Sequence, residues 1–252
     1  MQPIHAAPDV IWKACASARG LARWQADEVE GELRTGSQLK LYWRAFGASV
    51  ELSVLESLPY QRLRLRNGTS EVTFELEDEA VVLTQYGLAA DDDVEGLRSS
   101  WRVALSQLAH SVERHPGRQR HVEWAVSQVH VAPETLHLFM TDRDLLRLWL
   151  GETDTSLTEG DAYRLTVHDG PLLEGKVLAC VAGRDIAFSC SNLGDAAVVF
   201  RTLPLAMSPN ARLLAVSVSE WGRATRGAER LLERLGGALS RLTTLLTRGG
   251  SA

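Results

Sequence analysis

Hydrophobic and polar residues alternate along five stretches in the first half of the chain. In "QLKLYWRA", Leu39, Leu41 and Trp43 fall on one face, and Lys40, Tyr42 and Arg44 fall on the other. A period of two with one polar face predicts antiparallel strands in a sheet whose outer face is in water. Turn signals separate the five stretches, which read "QLKLYWRA", "SVELSVLE", "QRLRLRN", "EVTFELED" and "AVVLTQYG".

Apolar residues at helical spacing flank these strands. Pro8 opens one short helical run, and a second short turn ends at Trp24. Three aspartates at residues 91–93 precede a longer run, and we interpret them as an N-cap with favourable charge rather than a metal site. The longer run predicts one long helix with an apolar stripe at Val94, Leu97, Trp101, Leu105, Leu108 and Val112.

The chain then repeats this plan. "APDVIWKACASARGLARWQ" (residues 7–25) returns as "APETLHLFMTDRDLLRLWL" (residues 132–150), with the Ala-Pro pair and the tryptophan at the same offset. Self-similarity of this kind predicts duplication, here into domains 1–117 and 118–252 joined at "RHPGRQRH". Further segments match in the same order: 33–43 with 157–167, 50–67 with 173–190, 72–74 with 198–200, and 105–108 with 239–242.

Each copy therefore has the order strand, two short helices, several antiparallel strands and one long helix. Since a sheet with one apolar face must be covered, and only the long helix is large enough, the sheet should curve around that helix. The predicted class is α+β, with two tandem helix-grip domains. The first copy has only "MQPIHA" before Pro8, so its first strand should be short or missing, whereas the second copy has "HVEWAVSQVHV".

This order, the "AP…W" opening and the ending "EGLRSSWRVALSQL" resemble the START-like (SRPBCC, birch-pollen-allergen-like) superfamily. Within it, the chain is most similar to bacterial relatives of the heat-shock-protein ATPase activator domain. The resemblance implies a helix-grip fold with a cavity between long helix and sheet, often used for apolar ligands. It also implies two alternatives, co-chaperone-like protein binding and a cyclase- or aromatase-like enzyme.

Composition narrows the class of protein. Hydrophobic residues make up 45% of the chain and charged residues 23%, and the net charge is −5. These values, with no basic stripe and no long apolar run, argue against nucleic-acid binding and against a membrane span. The start of the chain does not have the pattern of a signal peptide, and Cys15, Cys180 and Cys190 form no disulfide framework, so we expect a cytoplasmic protein.

No motif for catalysis is found. The sequence has no phosphate loop, nucleophile elbow, zinc-binding helix or paired Cys/His spacing, so we predict no catalytic residue, metal or cofactor. His130 and His137 have no third ligand nearby in sequence, and the His168-Asp169 pair is followed by Gly-Pro and predicts a turn.

The predicted inward faces are almost purely apolar. We therefore predict non-enzymatic binding of a small apolar molecule in a helix-grip cavity, with a protein partner as the alternative. A packed core without ligand would use the same residues, and the sequence does not decide between the two. The candidate cavity-lining residues are Leu41, Trp43, Leu52, Leu63, Leu65, Phe74, Trp101, Leu105, Leu165, Val167, Phe188, Phe200, Leu235 and Leu239.

Overall fold

The computed structural model describes residues 1–205 and 211–249. These residues form two compact units, which are described separately. One unit comprises Met1–Leu97 with Ala104–Arg120, and the other comprises Arg98–Val103 with His121–Ala252. A short piece of the first long helix thus groups with the second unit. The domain limits 1–117 and 118–252 stay a prediction.

The first repeat carries a seven-stranded antiparallel sheet in the order β1-β7-β6-β5-β4-β3-β2. Two short helices follow the first strand and one long helix follows the last, as the sequence predicts. The elements are β1 (Gln2–Pro3), α1 (Pro8–Cys15), α2 (Ala18–Leu21), β2 (Glu28–Gly31), β3 (Gln38–Trp43), β4 (Ala48–Leu58), β5 (Arg62–Asn67), β6 (Ser70–Glu77), β7 (Ala80–Tyr86) and α3 (Val94–Arg114).

The second repeat has the same plan, with the sheet order β8-β14-β13-β12-β11-β10-β9. The predicted α+β class, with two tandem helix-grip domains, is confirmed. The elements are β8 (Arg120–His130), α4 (Pro133–Thr141), α5 (Arg143–Trp149), β9 (Gly151–Thr153), β10 (Ala162–Val167), β11 (Leu172–Cys180), β12 (Ile186–Cys190), β13 (Ala196–Pro204), β14 (Ala211–Trp221) and α6 (Arg226–Gly249).

Strand register confirms the internal alignment residue by residue. Leu41 pairs with Val50 in the first sheet, and the residues aligned with them, Leu165 and Leu173, pair in the second. Each sheet also carries a β-bulge at the same aligned place. The register shifts between Val54 and Glu56 and between Val177 and Ala179, so each repeat has one extra residue, Leu55 or Leu178.

The matched tryptophans make the same contacts. Trp24 Nε1 donates to the carbonyl oxygen of Ala14 at 3.0 Å, and Trp149 Nε1 donates to that of Phe139 at 2.7 Å. Both carbonyls belong to the last turn of a helix, where no intrahelical donor is available. The indole therefore caps the helix in each copy. Each indole also meets a phenylalanine ring edge-on. The ring centroids are 6.2 Å apart for Trp24 and Phe74 and 5.8 Å apart for Trp149 and Phe200.

The two sheets differ at one edge. β1 has two residues and pairs with β7 only at Val81 and Ala80, whereas β8 has eleven residues in the corresponding place beside β14. Part of the edge strand β7 is thus left without a neighbouring strand among the described residues.

The second sheet differs from the sheet with one wet face that the alternating strands of the first half predict. Every residue of β12 is buried, and most of β13 and β14 is buried on both faces. On the outer face, the small residues Ala179, Ala187 and Val199 pack against Val103 of the Arg98–Val103 segment. Short side chains on that face leave room for a second layer, so the face is not in water.

The long helices also depart from a simple one-sided stripe. Residues 103–112 of α3 are buried in succession, polar positions included, whereas the predicted stripe residue Val94 is exposed. Asp93 is the N-cap, and its carboxylate accepts from the Gly96 amide at 3.0 Å, as predicted for the aspartate run. In the second repeat α6 packs on β14 and completes the core with Leu231, Leu235, Leu239 and Leu242.

Candidate functional site

The candidate lining residues of the second repeat lie together in one sealed cluster. All are between 0% and 2% exposed, and they belong to one hydrophobic core. This describes a packed interior between α6 and the sheet. The six residues are Leu165, Val167, Phe188, Phe200, Leu235 and Leu239.

The candidate residues of the first repeat are less uniform. Most are buried, namely Leu41, Leu63, Leu65, Phe74 and Leu105. Trp43, Leu52 and Trp101 are half-buried. The Trp43 indole donates to the Gln25 carbonyl oxygen at 3.0 Å, which fixes its nitrogen end while part of the ring stays exposed.

Matched positions on the two concave faces differ in exposure. In the first repeat Val50 and Leu83 are half-buried, although they are apolar and lie on the same face as the buried Leu41 and Phe74. Trp43 and Gln85 share this property. In the second repeat, the counterparts of these four residues by alignment or strand register are at most 2% exposed. The counterparts of Val50, Leu83, Trp43 and Gln85 are, in that order, Leu173, Val216, Val167 and Val218. The concave face is thus partly open in the first repeat and closed in the second.

The interior of the second repeat contains one phenol. The hydroxyl of Tyr163 donates to the carbonyl oxygen of Ser189 at 2.8 Å and lies 3.4 Å from Cys190 Sγ. Burial, with a smaller contribution from Cys190, raises the pKa of Tyr163 well above its ordinary value. The phenol therefore stays protonated at neutral pH, where its donation to Ser189 holds β10 to the end of β12.

Two carboxylates are buried in the second unit, Asp185 and Glu220, and Glu220 accepts from the amide and the hydroxyl of Thr225. Asp185 accepts from the Thr202 amide at 2.9 Å and from the Ser99 hydroxyl at 2.7 Å. Beside it, burial lowers the pKa of Arg201, and the charge of Asp185 opposes that shift. Because both carboxylate oxygens are used by the fold, Asp185 joins the Arg98–Val103 segment to the sheet and is not poised as a general base.

The three cysteines do not form a reactive centre. Burial raises the pKa of Cys15 and of Cys190 to about 12, and burial followed by the charge of Glu159 raises that of Cys180. Cys15 and Cys190 are buried, as predicted, whereas Cys180 is only partly so.

Within residues 1–205 and 211–249, no group of three or more His, Cys, Asp or Glu side chains could hold a metal ion. Among the same residues, no helix is both long and apolar enough to cross a membrane. His168 and Asp169 lie in a turn, and the ring of His168 contacts the Arg147 carbonyl oxygen at 2.7 Å.

A groove that the sequence did not predict lies between α5 and α6. It has a volume of about 380 Å³, is open to solvent, and is lined by Leu148, Ser240, Arg241, Thr244 and Leu245. Leu148 is 53% exposed, as is Leu138 on α4. A signal was available in the repeat, because the residues aligned with these two leucines are Lys13 and Arg23. Positions that are cationic in one copy are exposed and apolar in the other.

Comparison with known proteins gives one family match. Residues 5–113 match the model of the family "Activator of Hsp90 ATPase homolog 1-like protein". No curated protein matches the chain.

Several solved structures are similar at low identity. The Aha1 dimer from Colwellia psychrerythraea is 14% identical over 50% of this chain and 96% of that chain, with a TM-score of 0.44. CalU16 from Micromonospora echinospora is 16% identical over 53% of this chain and 80% of its own, with a TM-score of 0.43. DynU16, from the dynemicin biosynthetic locus, is 19% identical over 97% of this chain and 96% of its own, with a TM-score of 0.39.

The family match covers nearly the whole first repeat, including the "AP…W" opening and the "EGLRSSWRVALSQL" ending from which the resemblance was inferred. The resemblance to relatives of the heat-shock-protein ATPase activator is therefore confirmed, by the family model over residues 5–113 and by the helix-grip fold of both repeats.

Proposed function

We propose that this protein binds a small apolar molecule without chemical change, and that the first repeat is the binding repeat. The observation that carries the proposal is the unequal closure of the two concave faces. Leu83 and Val50 are half-buried where Val216 and Leu173 are sealed. Binding of an apolar molecule over partly exposed apolar side chains on a concave face is favourable, because it removes apolar surface from water.

The chemistry of the first concave face fits an apolar molecule with few polar groups. Its half-buried positions are mainly Trp43, Val50, Leu52 and Leu83. One polar pair lies on the same face, where the Gln85 amide nitrogen donates to the Ser70 hydroxyl at 2.8 Å. An aromatic ring with several aliphatic side chains and one amide gives shape and a single orienting contact, which is the usual composition of a small-molecule site.

The test is a fluorescence titration with N-phenyl-1-naphthylamine, a neutral apolar dye. The wild-type chain should bind the dye, and Leu52→Glu should weaken binding about tenfold or more, because a carboxylate on the concave face must be desolvated by the ligand. Leu52 is half-buried, so the charged side chain can reach water and the fold should be retained.

Tyr86→Ala is the matched control. Tyr86 is 62% exposed on the opposite face of β7, so its loss should leave dye affinity unchanged. Mass spectrometry of the purified protein should find an apolar molecule that is depleted in Leu52→Glu. Equal dye binding by the wild type and Leu52→Glu, with no molecule co-purifying, would reject the proposal in favour of protein binding.

A further inference from the structure

We propose a second binding site, for a small carboxylate with an apolar chain, in the groove between α5 and α6 of the second repeat. The groove carries one cation and two leucines. It lies outside the concave faces described above, and it is independent of the proposed function of the first repeat.

The guanidinium of Arg241 is positioned by the fold and is left with unused donors. Its Nε donates to the Trp149 carbonyl oxygen at 3.0 Å, which anchors the group at the C-terminal end of α5. Its Nη2 is buried from solvent and has no hydrogen-bond acceptor. Because solvent does not reach this nitrogen, a ligand in the groove meets the positive charge of the guanidinium, whose side chain lines the groove, rather than this donor. An oxygen anion is the natural acceptor because charge-assisted hydrogen bonds to guanidinium are strong.

The other lining side chains define the rest of the ligand. The hydroxyls of Ser240 and Thr244 both donate to backbone carbonyls of their own helix, at 3.2 Å and 2.9 Å. Among the lining side chains, the free N–H groups therefore belong to Arg241. Leu148 and Leu245 supply an apolar wall, and 53% of Leu148 is exposed. One small anionic head beside an apolar wall matches a monocarboxylate with an aliphatic chain.

In the first repeat the chain itself supplies partners at the corresponding position. By the internal alignment, Gln107 corresponds to Arg241 and Arg23 to Leu148. There the chain itself reaches both residues, since Arg23 Nη2 donates to the Gly117 carbonyl oxygen at 2.8 Å and Arg120 Nη1 donates to Gln107 Oε1 at 3.5 Å. The second repeat thus has the cation Arg241 where the first has the amide Gln107, and it has Leu148 where the first has the cation Arg23. The change of side chains replaces recognition of a basic chain segment by recognition of an anionic, partly apolar group.

The experiment is isothermal titration calorimetry of the full chain with octanoate, 1-octanol and octylammonium, which share a chain and differ in the head group. Octanoate should bind, and the alcohol and the ammonium should bind about tenfold more weakly or not at all. Arg241→Gln should lower the affinity for octanoate about 10- to 100-fold, the range expected for loss of charge-assisted hydrogen bonds. Arg234→Gln, an exposed arginine two turns earlier on α6, should leave it unchanged.

Leu148→Asp is a second test that does not disturb the anchor of Arg241. Leu148 is exposed, so the variant should fold, and its carboxylate should repel octanoate and weaken binding by a similar factor. Equal affinity for octanoate and 1-octanol, or octanoate affinity within about twofold of wild type in folded Arg241→Gln, would overturn the proposal. Loss of octanoate binding in Leu52→Glu but not in Arg241→Gln would assign the ligand to the first repeat and would also overturn it. Binding of the neutral dye should be unaffected by Arg241→Gln, so the two proposals fail separately.

Discussion

Replacing Trp149 by phenylalanine tests the account of how each repeat closes its helical end. Trp149 is fully buried, and its indole caps the last turn of α4 by donating to Phe139 at 2.7 Å. The smaller ring leaves a cavity of roughly 40 Å³, which costs about 1 kcal/mol at ~24 cal/mol per Å³. The uncapped carbonyl adds about 1–2 kcal/mol. Trp149→Phe should therefore lower the free energy of unfolding by about 2–3 kcal/mol.

The same change in the first repeat is an internal replicate. Trp24 makes the equivalent hydrogen bond and edge-on ring contact, so Trp24→Phe should cost a similar amount. Trp12→Phe is the control, because Trp12 is half-buried and its change should cost about 0.5 kcal/mol or less. Urea unfolding followed by circular dichroism measures all three, with unchanged m-values as the condition for comparison. A cost below about 0.5 kcal/mol for either buried tryptophan would refute the capping argument.

Two further outcomes follow from the backbone and the thiols. Burial raises the pKa of Cys15 and Cys190 to about 12, so a thiol reagent at about pH 8 should label at most Cys180 in the folded chain. In concentrated guanidinium the reagent should label all three cysteines. Labelling of Cys15 in the folded chain would contradict this prediction. Tyr60 has a φ of 62° where the aligned residue is Gly183 with a φ of 70°, so Tyr60→Asn should raise the free energy of unfolding by about 0.5–1 kcal/mol through relief of strain. A lower urea midpoint for Tyr60→Asn would mean that the ring contact of Tyr60 with α1 outweighs the strain.

The element order and strand register could be predicted because they depend on local patterns. Alternation identifies the strands, and a chain that contains the pattern twice supplies its own alignment. The match of residues 72–74 with 198–200 places Phe74 and Phe200 at the same point, and both meet a capping tryptophan. A prediction made from one copy could thus be checked against the other.

The second layer on the outer face of the second sheet could not be predicted. Ala187 and Ala215 lie between larger residues in their strands, and alanine is compatible with either water or a close neighbour. Only the contact with Val103 decides that this face is dry.

The groove escaped prediction for a different reason. Arg241 and Ser240 are polar residues on an amphipathic helix, and that pattern is typical of a solvated face. The property that matters is an unused guanidinium nitrogen beside an exposed leucine from another helix. It depends on how α5 approaches α6, which no local pattern encodes.

The shared β-bulge constrains how the two halves can have diverged from a common ancestor. The extra residue shifts the alternation of β4 by one position, so Val54 faces the core beside Leu65 and, beyond the bulge, Ser57 lies on that face beside Leu63. In β11, likewise, Val177 faces the core beside Phe188 and, beyond Leu178, Cys180 lies on that face beside Ile186. Because both copies carry the bulge at the aligned place, it predates the duplication. Since then each copy has exchanged most of the side chains around the bulge and has kept the extra residue.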